Sequence, residues 1–270
     1  MKQRVDALLA GHGLAPSREQ AQRLIMAGQV YVDEVKVLKP SQLFEGDARL
    51  SVRGETDPFA SRGAHKIEKA LSFFEAEVAG LVCLDIGAAS GGFTDALLRR
   101  GAALVYAVDV GYGQLEWRLR QDPRVRVMER TNARQLTPGQ FSPKPSLCVM
   151  DVSFISIRLI LPAAAAIMGQ EGRFLTLIKP QFEAGRGQVG KNGVVRQAET
   201  HARVLSEIRD FCPGFGWTLH GFTWSPIKGP KGNIEFLADI RPGGGQAPDD
   251  AAVRSVVDEA HEALSRLQDP

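Results

Sequence analysis

Five short apolar runs recur along the middle of the chain, at Val82–Ile86, Leu104–Val108, Val125–Met128, Leu147–Met150 and 174–178, with helical segments between them. Strands that alternate with helices predict βαβ units, and hence a mostly parallel sheet covered on both faces. Two more runs follow, 218–223 and 234–240, with too few residues between them for a crossover helix. They are expected to pair antiparallel. The chain is thus predicted to be of the α/β class, with its principal domain at 63–241.

Residues 1–53 read as a separate small α+β unit. Val5, Leu8 and Leu9 have helical spacing and run into a break at Gly11-His12-Gly13. Ser17 then stands where a helix N-cap belongs, with Gln20 three residues on. Ala21, Leu24 and Ile25 give this second helix an apolar face, and Gly28 is a natural stop. Val30-Tyr31-Val32, Val35-Lys36-Val37 and Leu50-Ser51-Val52 predict strands, the first two joined through Asp33-Glu34. Residues 54–62, polar and holding Gly54 and Pro58, read as a linker. At the other end, 242–270 reads as a Gly/Pro-rich spacer and then a helix. Its stripe of Val253, Val256, Val257, Ala260, Leu264 and Leu267 is expected to dock on the main domain.

Composition narrows the possible roles. A chain of 270 residues, 44% hydrophobic, supports one sizeable core and a small extra domain. The net charge of +2 neither demands nor excludes a nucleic-acid partner, so local features must decide. Cys83, Cys148 and Cys212 are isolated, which argues against a disulfide framework or a zinc site and fits a reducing cytoplasm. Cys83 and Cys148 sit in apolar runs and read as core residues. The N-terminus has no signal-peptide hydrophobic region. The longest apolar run, 159–168, contains Pro162 and falls short of the roughly 20 residues a bilayer span needs. The expectation is a cytoplasmic protein without membrane or metal.

The most specific single motif is Leu84-Asp85-Ile86-Gly87-Ala88-Ala89-Ser90-Gly91-Gly92-Phe93-Thr94. A buried strand ends in an acid and a glycine-rich turn, and a helix follows, so that backbone can approach a ligand closely. It is not a dinucleotide fingerprint, because Ala89 stands at the second glycine position. Nor does it end in the Lys-Ser/Thr of a phosphate-cradling loop. Asp85 instead suits a ligand bearing an ammonium or hydroxyls. Asp109 ends the next strand, where a carboxylate accepts the ribose hydroxyls of an adenosine-type ligand. Asn132 follows the third strand and is placed to read an adenine edge.

Four further polar residues converge on one edge of the predicted sheet. Asp151 and Lys179 end the fourth and fifth strands, at the carboxyl ends where open α/β sheets bind ligands. Glu235 opens the final strand, whose reversed direction brings it to the same edge, and Lys66 lies on the helix before the first strand. Such a cluster, without a nucleophile or metal spacing, suits abstraction of a proton from a hydroxyl.

These residues resemble the hemolysin A (TlyA) family of ribosomal RNA 2′-O-methyltransferases over nearly the whole chain, weakening after about Arg241. Ser61-Arg62-Gly63-Ala64-His65-Lys66, the Asp85–Thr94 motif and Asp109-Val110-Gly111-Tyr112-Gly113-Gln114-Leu115 carry the likeness. So do Glu129-Arg130-Thr131-Asn132-Ala133-Arg134, Asp151-Val152-Ser153-Phe154-Ile155-Ser156 and Ile178-Lys179-Pro180-Gln181-Phe182-Glu183. The resemblance implies a Rossmann-like class I methyltransferase sheet, FtsJ-like, behind a small RNA-binding domain of the type first described in a small-subunit ribosomal protein. It implies S-adenosylmethionine as cofactor, with Asp85, Gly87, Ala88, Ser90, Gly91, Gly92, Phe93, Asp109, Asn132 and Asp151 binding it. It maps a catalytic tetrad onto Lys66, Asp151, Lys179 and Glu235. Lys179 would deprotonate a ribose 2′-hydroxyl of ribosomal RNA, and ribosomal RNA or ribosomal subunits would be the partner; the sequence leaves the oligomeric state open, a monomer being favoured. The turn between the N-terminal strands, commonly Asn-Gly in such domains, is Asp33-Glu34 here.

Arg4, Arg18 and Arg23 on the N-terminal helices are candidate phosphate contacts. The Gly-rich segment 180–195, with Arg186 and Lys191, is read as a mobile substrate loop because it directly follows Lys179. His65 is read as a packing or capping histidine. Rival readings are a small-molecule O-methyltransferase, which would not need residues 1–53, a non-catalytic RNA-binding assembly factor, and a pore-forming hemolysin.

Overall fold

A computed structural model describes residues 2–53, 57–190 and 192–265, together with all their side chains except that of Arg186. Residues 54–56 of the expected linker, Lys191 and Leu267 lie outside the described residues. The chain divides into two compact units, 1–58 and 59–270.

In the first unit, β1 (Lys2–Arg4) leads into α1 (Val5–Gly11), and α2 (Arg18–Met26) follows. Ser17 caps α2, its Oγ accepting from the Gln20 N–H at 3.1 Å. Strands β2 (Val30–Val32), β3 (Val35–Lys36), β4 (Leu43–Glu45) and β5 (Leu50–Val52) complete it. The order β3-β2-β5 forms one antiparallel sheet, and β1 pairs with β4 in a second that periodicity had not revealed. Three-residue strands with exposed outer positions carry too little alternation to be read from sequence. Val5, Leu9, Ala21, Leu24, Ile25, Val30 and Val32 form the core. At the β2–β3 turn both Asp33 and Glu34 adopt left-handed φ, 45° and 69°, which a two-residue hairpin of this hand requires. The Glu34 carboxylate is held by Arg53, whose guanidinium also lies 4.4 Å over the Tyr31 ring.

In the second unit, α3 (Ala64–Phe73) precedes β6 (Val82–Ile86), α4 (Gly92–Arg99) and β7 (Leu104–Val108). Next come α5 (Trp117–Arg120), β8 (Val125–Met128), β9 (Leu147–Met150), α6 (Leu161–Met168) and β10 (Arg173–Ile178). After α7 (Pro180–Glu183) and α8 (Ala198–Phe211) the sheet closes with β11 (Trp217–Trp224) and β12 (Phe236–Pro242), and α9 (Asp250–Ser265) ends the described chain. The strand order is β11-β12-β10-β9-β6-β7-β8, all parallel except β12, which runs against both neighbours. This is the mostly parallel sheet expected, reversed only where no crossover helix intervenes.

Apolar side chains fill both faces of the sheet, as the continuous hydrophobic runs of the central strands require. Cys83 and Cys148 are buried strand residues. Helix α9 docks on this unit through Val253, Val256, Val257, Ala260 and Leu264, all buried. His261 on α9 meets the fully buried His201 on α8, Nε2 to Nδ1, at 2.9 Å. Among the described residues no helix is long and apolar enough to cross a membrane, and no group of His, Cys, Asp or Glu is gathered as a metal site would need.

Candidate active site

The sheet order reverses between β6 and β9, the switch point at which parallel α/β sheets open a crevice beyond their carboxyl ends. A cavity of about 350 Å³ lies there, lined by Gly87, Ala89, Asp109, Val110, Gln114, Thr131, Asn132, Asp151, Ser153 and Phe154 among others. Its size is within the ordinary range for small-molecule sites.

Gly87 makes the close approach. Its φ is +86°, and a Cβ there would stand 2.4 Å from the carbonyl oxygen of Asp151. The turn therefore brings the ends of β6 and β9 together. Asp109 spans two turns: its Oδ2 accepts from the Ala89 N–H at 2.9 Å and its Oδ1 from the Gly111 N–H at 2.6 Å. Each oxygen keeps a second lone pair for a ligand hydroxyl. Asn132 lies at the cavity, its Oδ1 accepting from the Arg134 N–H at 3.1 Å.

Other residues of the glycine-rich motif sit elsewhere. Asp85 is fully buried, outside the cavity lining, with Oδ2 accepting from Thr94 Oγ1 at 2.6 Å and Oδ1 lacking a hydrogen-bond partner. Burial, with Asp151 and Asp109 adding to it against the Thr94 bond, pushes its carboxyl up to about 7. Ala88, Ser90, Gly91, Gly92 and Phe93 are also outside the lining. Gly91 caps α4 against Leu119, Gly92 packs on Ser61, and Phe93 belongs to the core. Gln114, Ser153 and Phe154, in contrast, line the cavity without having been singled out as ligand contacts. The Asp109–Leu115 and Asp151–Ser156 stretches that carried them were visible, but which side chain faces inward depends on loop geometry.

All four charged residues come together. Lys66 Nζ donates to Glu235 Oε2 at 2.6 Å and lies 3.9 Å from Asp151 Oδ2. Lys179 Nζ lies 2.5 Å from Asp151 Oδ1, an ion-pair contact rather than a well-directed hydrogen bond, and donates to Ser153 Oγ at 2.9 Å. The result is a continuous chain, Glu235 to Lys66 to Asp151 to Lys179. Three of its members are almost fully buried, and Asp151 alone also lines the cavity. Gln181, not anticipated, donates its Nε2 to Glu235 Oε1 at 3.4 Å. Two ammonium groups on one carboxylate, beside a small-molecule cavity, form a site in which a hydroxyl can be held and deprotonated.

Of the other candidates, Arg4 and Arg18 converge on the fully buried Asp6, which also accepts from Gln22, while Arg23 pairs with Glu19. The Arg4 hydrogen bond, aided by Gln22 and Arg18 against burial, holds the Asp6 carboxyl well below the usual range. His65 packs edge-on to Phe59. The segment after Lys179 is partly ordered into α7 and a short turn, Arg186–Gln188. It is fastened by buried Asn233, whose Oδ1 accepts from the Val195 N–H and whose Nδ2 donates to the Gly193 carbonyl, both at 3.0 Å.

The profile of FtsJ-like methyltransferases matches residues 59–240, and that of the S4 domain matches residues 3–50. A Bacillus subtilis protein proposed to be an rRNA methyltransferase, YqxC, is 48% identical, the match covering 97% of this chain and 95% of that one. The 16S/23S rRNA (cytidine-2′-O)-methyltransferase TlyA of Mycobacterium tuberculosis is 44% identical over 97% of both chains. Among solved structures, one from Streptococcus thermophilus proposed to be a hemolysin superposes with a TM-score of 0.79. It is 45% identical and covers 98% of each chain.

Proposed function

The chain belongs to the TlyA family of FtsJ-like methyltransferases, and from that premise we propose that it methylates a ribose 2′-hydroxyl of ribosomal RNA, using S-adenosylmethionine, with Lys179 as the base. The observation that carries this reading is the Glu235–Lys66–Asp151–Lys179 chain, joined through Asp151 to the cavity.

The residues of the cavity suit the cofactor. Asp109 presents free lone pairs at the end of β7, Asn132 stands beside it, and Gly87 leaves room where any side chain would strike Asp151. When bound, S-adenosylmethionine supplies an electrophilic methyl group on a sulfonium. The work of the chain is then to bind, orient and deprotonate. Once its own ammonium proton has passed to solvent, Lys179 takes the proton of the 2′-hydroxyl as a neutral amine, held in place by Ser153 and Asp151. Lys66 and Glu235, almost fully buried, fix the far side of Asp151. Alignment of this kind can supply on the order of 7–11 kcal/mol at best.

In this reading residues 1–53 bind RNA through the arginines gathered on Asp6, 54–62 link the domains, 63–241 carry the reaction, and 242–270 supply a spacer and a docked helix. The protein acts as a monomer on ribosomal subunits in the cytoplasm. The small-molecule and non-catalytic readings leave, respectively, the S4 domain and the buried tetrad without a purpose.

The test is transfer of labelled methyl from S-adenosylmethionine to purified small and large ribosomal subunits lacking native modification, with Lys179→Ala alongside. Label in the ribose of one rRNA, lost in the variant while cofactor still binds, is the expected result. No transfer to either subunit by a protein that binds the cofactor would overturn the ribosomal assignment.

A further inference from the structure

The wall between the cofactor cavity and Lys179 is a stretch outside any strand or α-helix, residues 151–157. It carries Asp151, Ser153 and Phe154, all lining the cavity. Phe154 is 91% exposed and holds a left-handed φ of 65°. A bulky non-glycine residue persists in that region only where its surroundings over-determine it. The fastening comes from Glu183, a buried carboxylate at the end of α7, four residues beyond Lys179. Its Oε2 accepts from Ser156 Oγ at 2.6 Å and its Oε1 from the Ile157 N–H at 2.8 Å. Arg158 adds an ion pair at 3.5 Å and returns a hydrogen bond to the Glu183 carbonyl at 3.3 Å. Between these bonds and Lys179, the Phe182 ring lies 5.2 Å from that of Phe154.

We infer that Glu183 is a positioning residue for the methyl transfer, one that locks the cavity wall to the segment bearing Lys179. The inference rests on the function proposed above. The segment 179–183 grips the wall at two points: Lys179 holds Asp151 and Ser153 at the front, and Glu183 holds Ser156 and Ile157 behind. The Lys179–Pro180 turn is itself rigid, the Phe182 N–H bonding to the Lys179 carbonyl at 2.9 Å. A carboxylate is the one side chain that accepts from a hydroxyl and a backbone N–H through separate oxygens at once. Gln in its place keeps the shape but turns an N–H₂ group toward one of those two donors. The wall is then free to shift by up to about 1 Å, the scale of misplacement that reaction alignment does not tolerate.

The experiment compares full-length wild type, Glu183→Gln, Ser156→Ala and the double variant in single-turnover transfer at saturating cofactor and subunit. Glu183→Gln should lower the rate constant at saturating cofactor on the order of 100-fold, the scale of loss for misplacement near 1 Å, with the thermal midpoint little changed. Ser156→Ala should cost less, and the double variant no more than Glu183→Gln, because both remove the same link. Amide exchange of residues 151–157 should quicken in each variant, a readout that does not require turnover. Wild-type rate and exchange in Glu183→Gln would overturn the inference, as would losses that multiply independently in the double variant. Failure of wild type to methylate either subunit would instead strike the proposed function, while unchanged exchange would still strike this one.

Discussion

Lys66 and Glu235 stand 169 positions apart in the chain, and the lysine Nζ donates to the glutamate Oε2 across 2.6 Å. Both are almost fully buried, Glu235 to 1% of its surface. Removing one partner leaves an uncompensated charge in the interior, so Lys66→Ala should cost about 3–5 kcal/mol of stability. Replacing both, Lys66→Met with Glu235→Leu, should recover most of that loss yet leave methyl transfer abolished. Urea denaturation alongside the transfer assay separates the two effects. Activity in the double variant would show that the pair serves the fold alone.

Gly87→Ala should damage cofactor binding without unfolding the protein. The new Cβ would stand 2.4 Å from the Asp151 carbonyl oxygen, at a φ of +86° that L-residues rarely adopt. Asp151 must then shift, and with it a wall of the cavity. Calorimetric titration should show affinity for S-adenosylmethionine weakened roughly tenfold or more, a loss of at least about 1.4 kcal/mol. Gly139→Ala, where an added Cβ meets nothing within 4 Å, is the control.

His201 makes stability depend on pH. Burial, with His261 beside it and against a backbone contact from Val195, depresses its imidazole to about 4. In the unfolded chain a histidine titrates near about 6.5. Between those values the unfolded state takes up a proton that the folded state refuses, so stability is lost as pH falls from about 6.5 to about 4. The slope approaches about 1.4 kcal/mol per pH unit for one such group. Melting temperatures measured across that window should decline in wild type relative to His201→Leu, the gap between the two widening as pH falls, whatever other groups add to both curves. Parallel declines would remove His201 as the cause.

Asp85 works in the opposite sense. Its folded carboxyl is pushed up to about 7 by burial, whereas an unfolded aspartate titrates near about 3.9. The folded state therefore holds the extra proton between those values, and stability falls as pH rises through them. Asp85→Asn, which cannot ionise, should gain on wild type by a few kcal/mol, on the order of the linkage term, between pH 4 and pH 8. Chemical denaturation at both pH values gives the comparison. An equal difference at the two would mean that the buried carboxyl ionises normally.

Several features were legible in the sequence because their causes are local. Ser17 announced a helix start through a hydroxyl acceptor and the right spacing, and the cap is present. The continuous apolar runs of β6, β7, β9 and β10 announced a parallel sheet covered on both faces, and the short step from β11 to β12 announced the one reversed strand. Strand ends can then be placed at one edge, which is enough to gather Asp151, Lys179 and Glu235, with Lys66 on the helix that precedes the first strand of the sheet. What the sequence left open depends on packing between distant segments. Two glycines of the ligand motif proved to be spaces for Leu119 and Ser61, and Asp85 proved to be sealed away from the cavity. Arg4 and Arg18 became one array because Asp6 is buried between them. Glu183 reads as one more acidic residue after Lys179 until the fold lays residues 151–157 against it. Periodicity and spacing determine which elements form and which ends meet, because those follow from local backbone preference and the need to bury apolar faces. The direction in which each side chain then points, and the donor it finds there, was decided only by tertiary structure, since hydrogen bonds are satisfied by whatever the rest of the chain brings near.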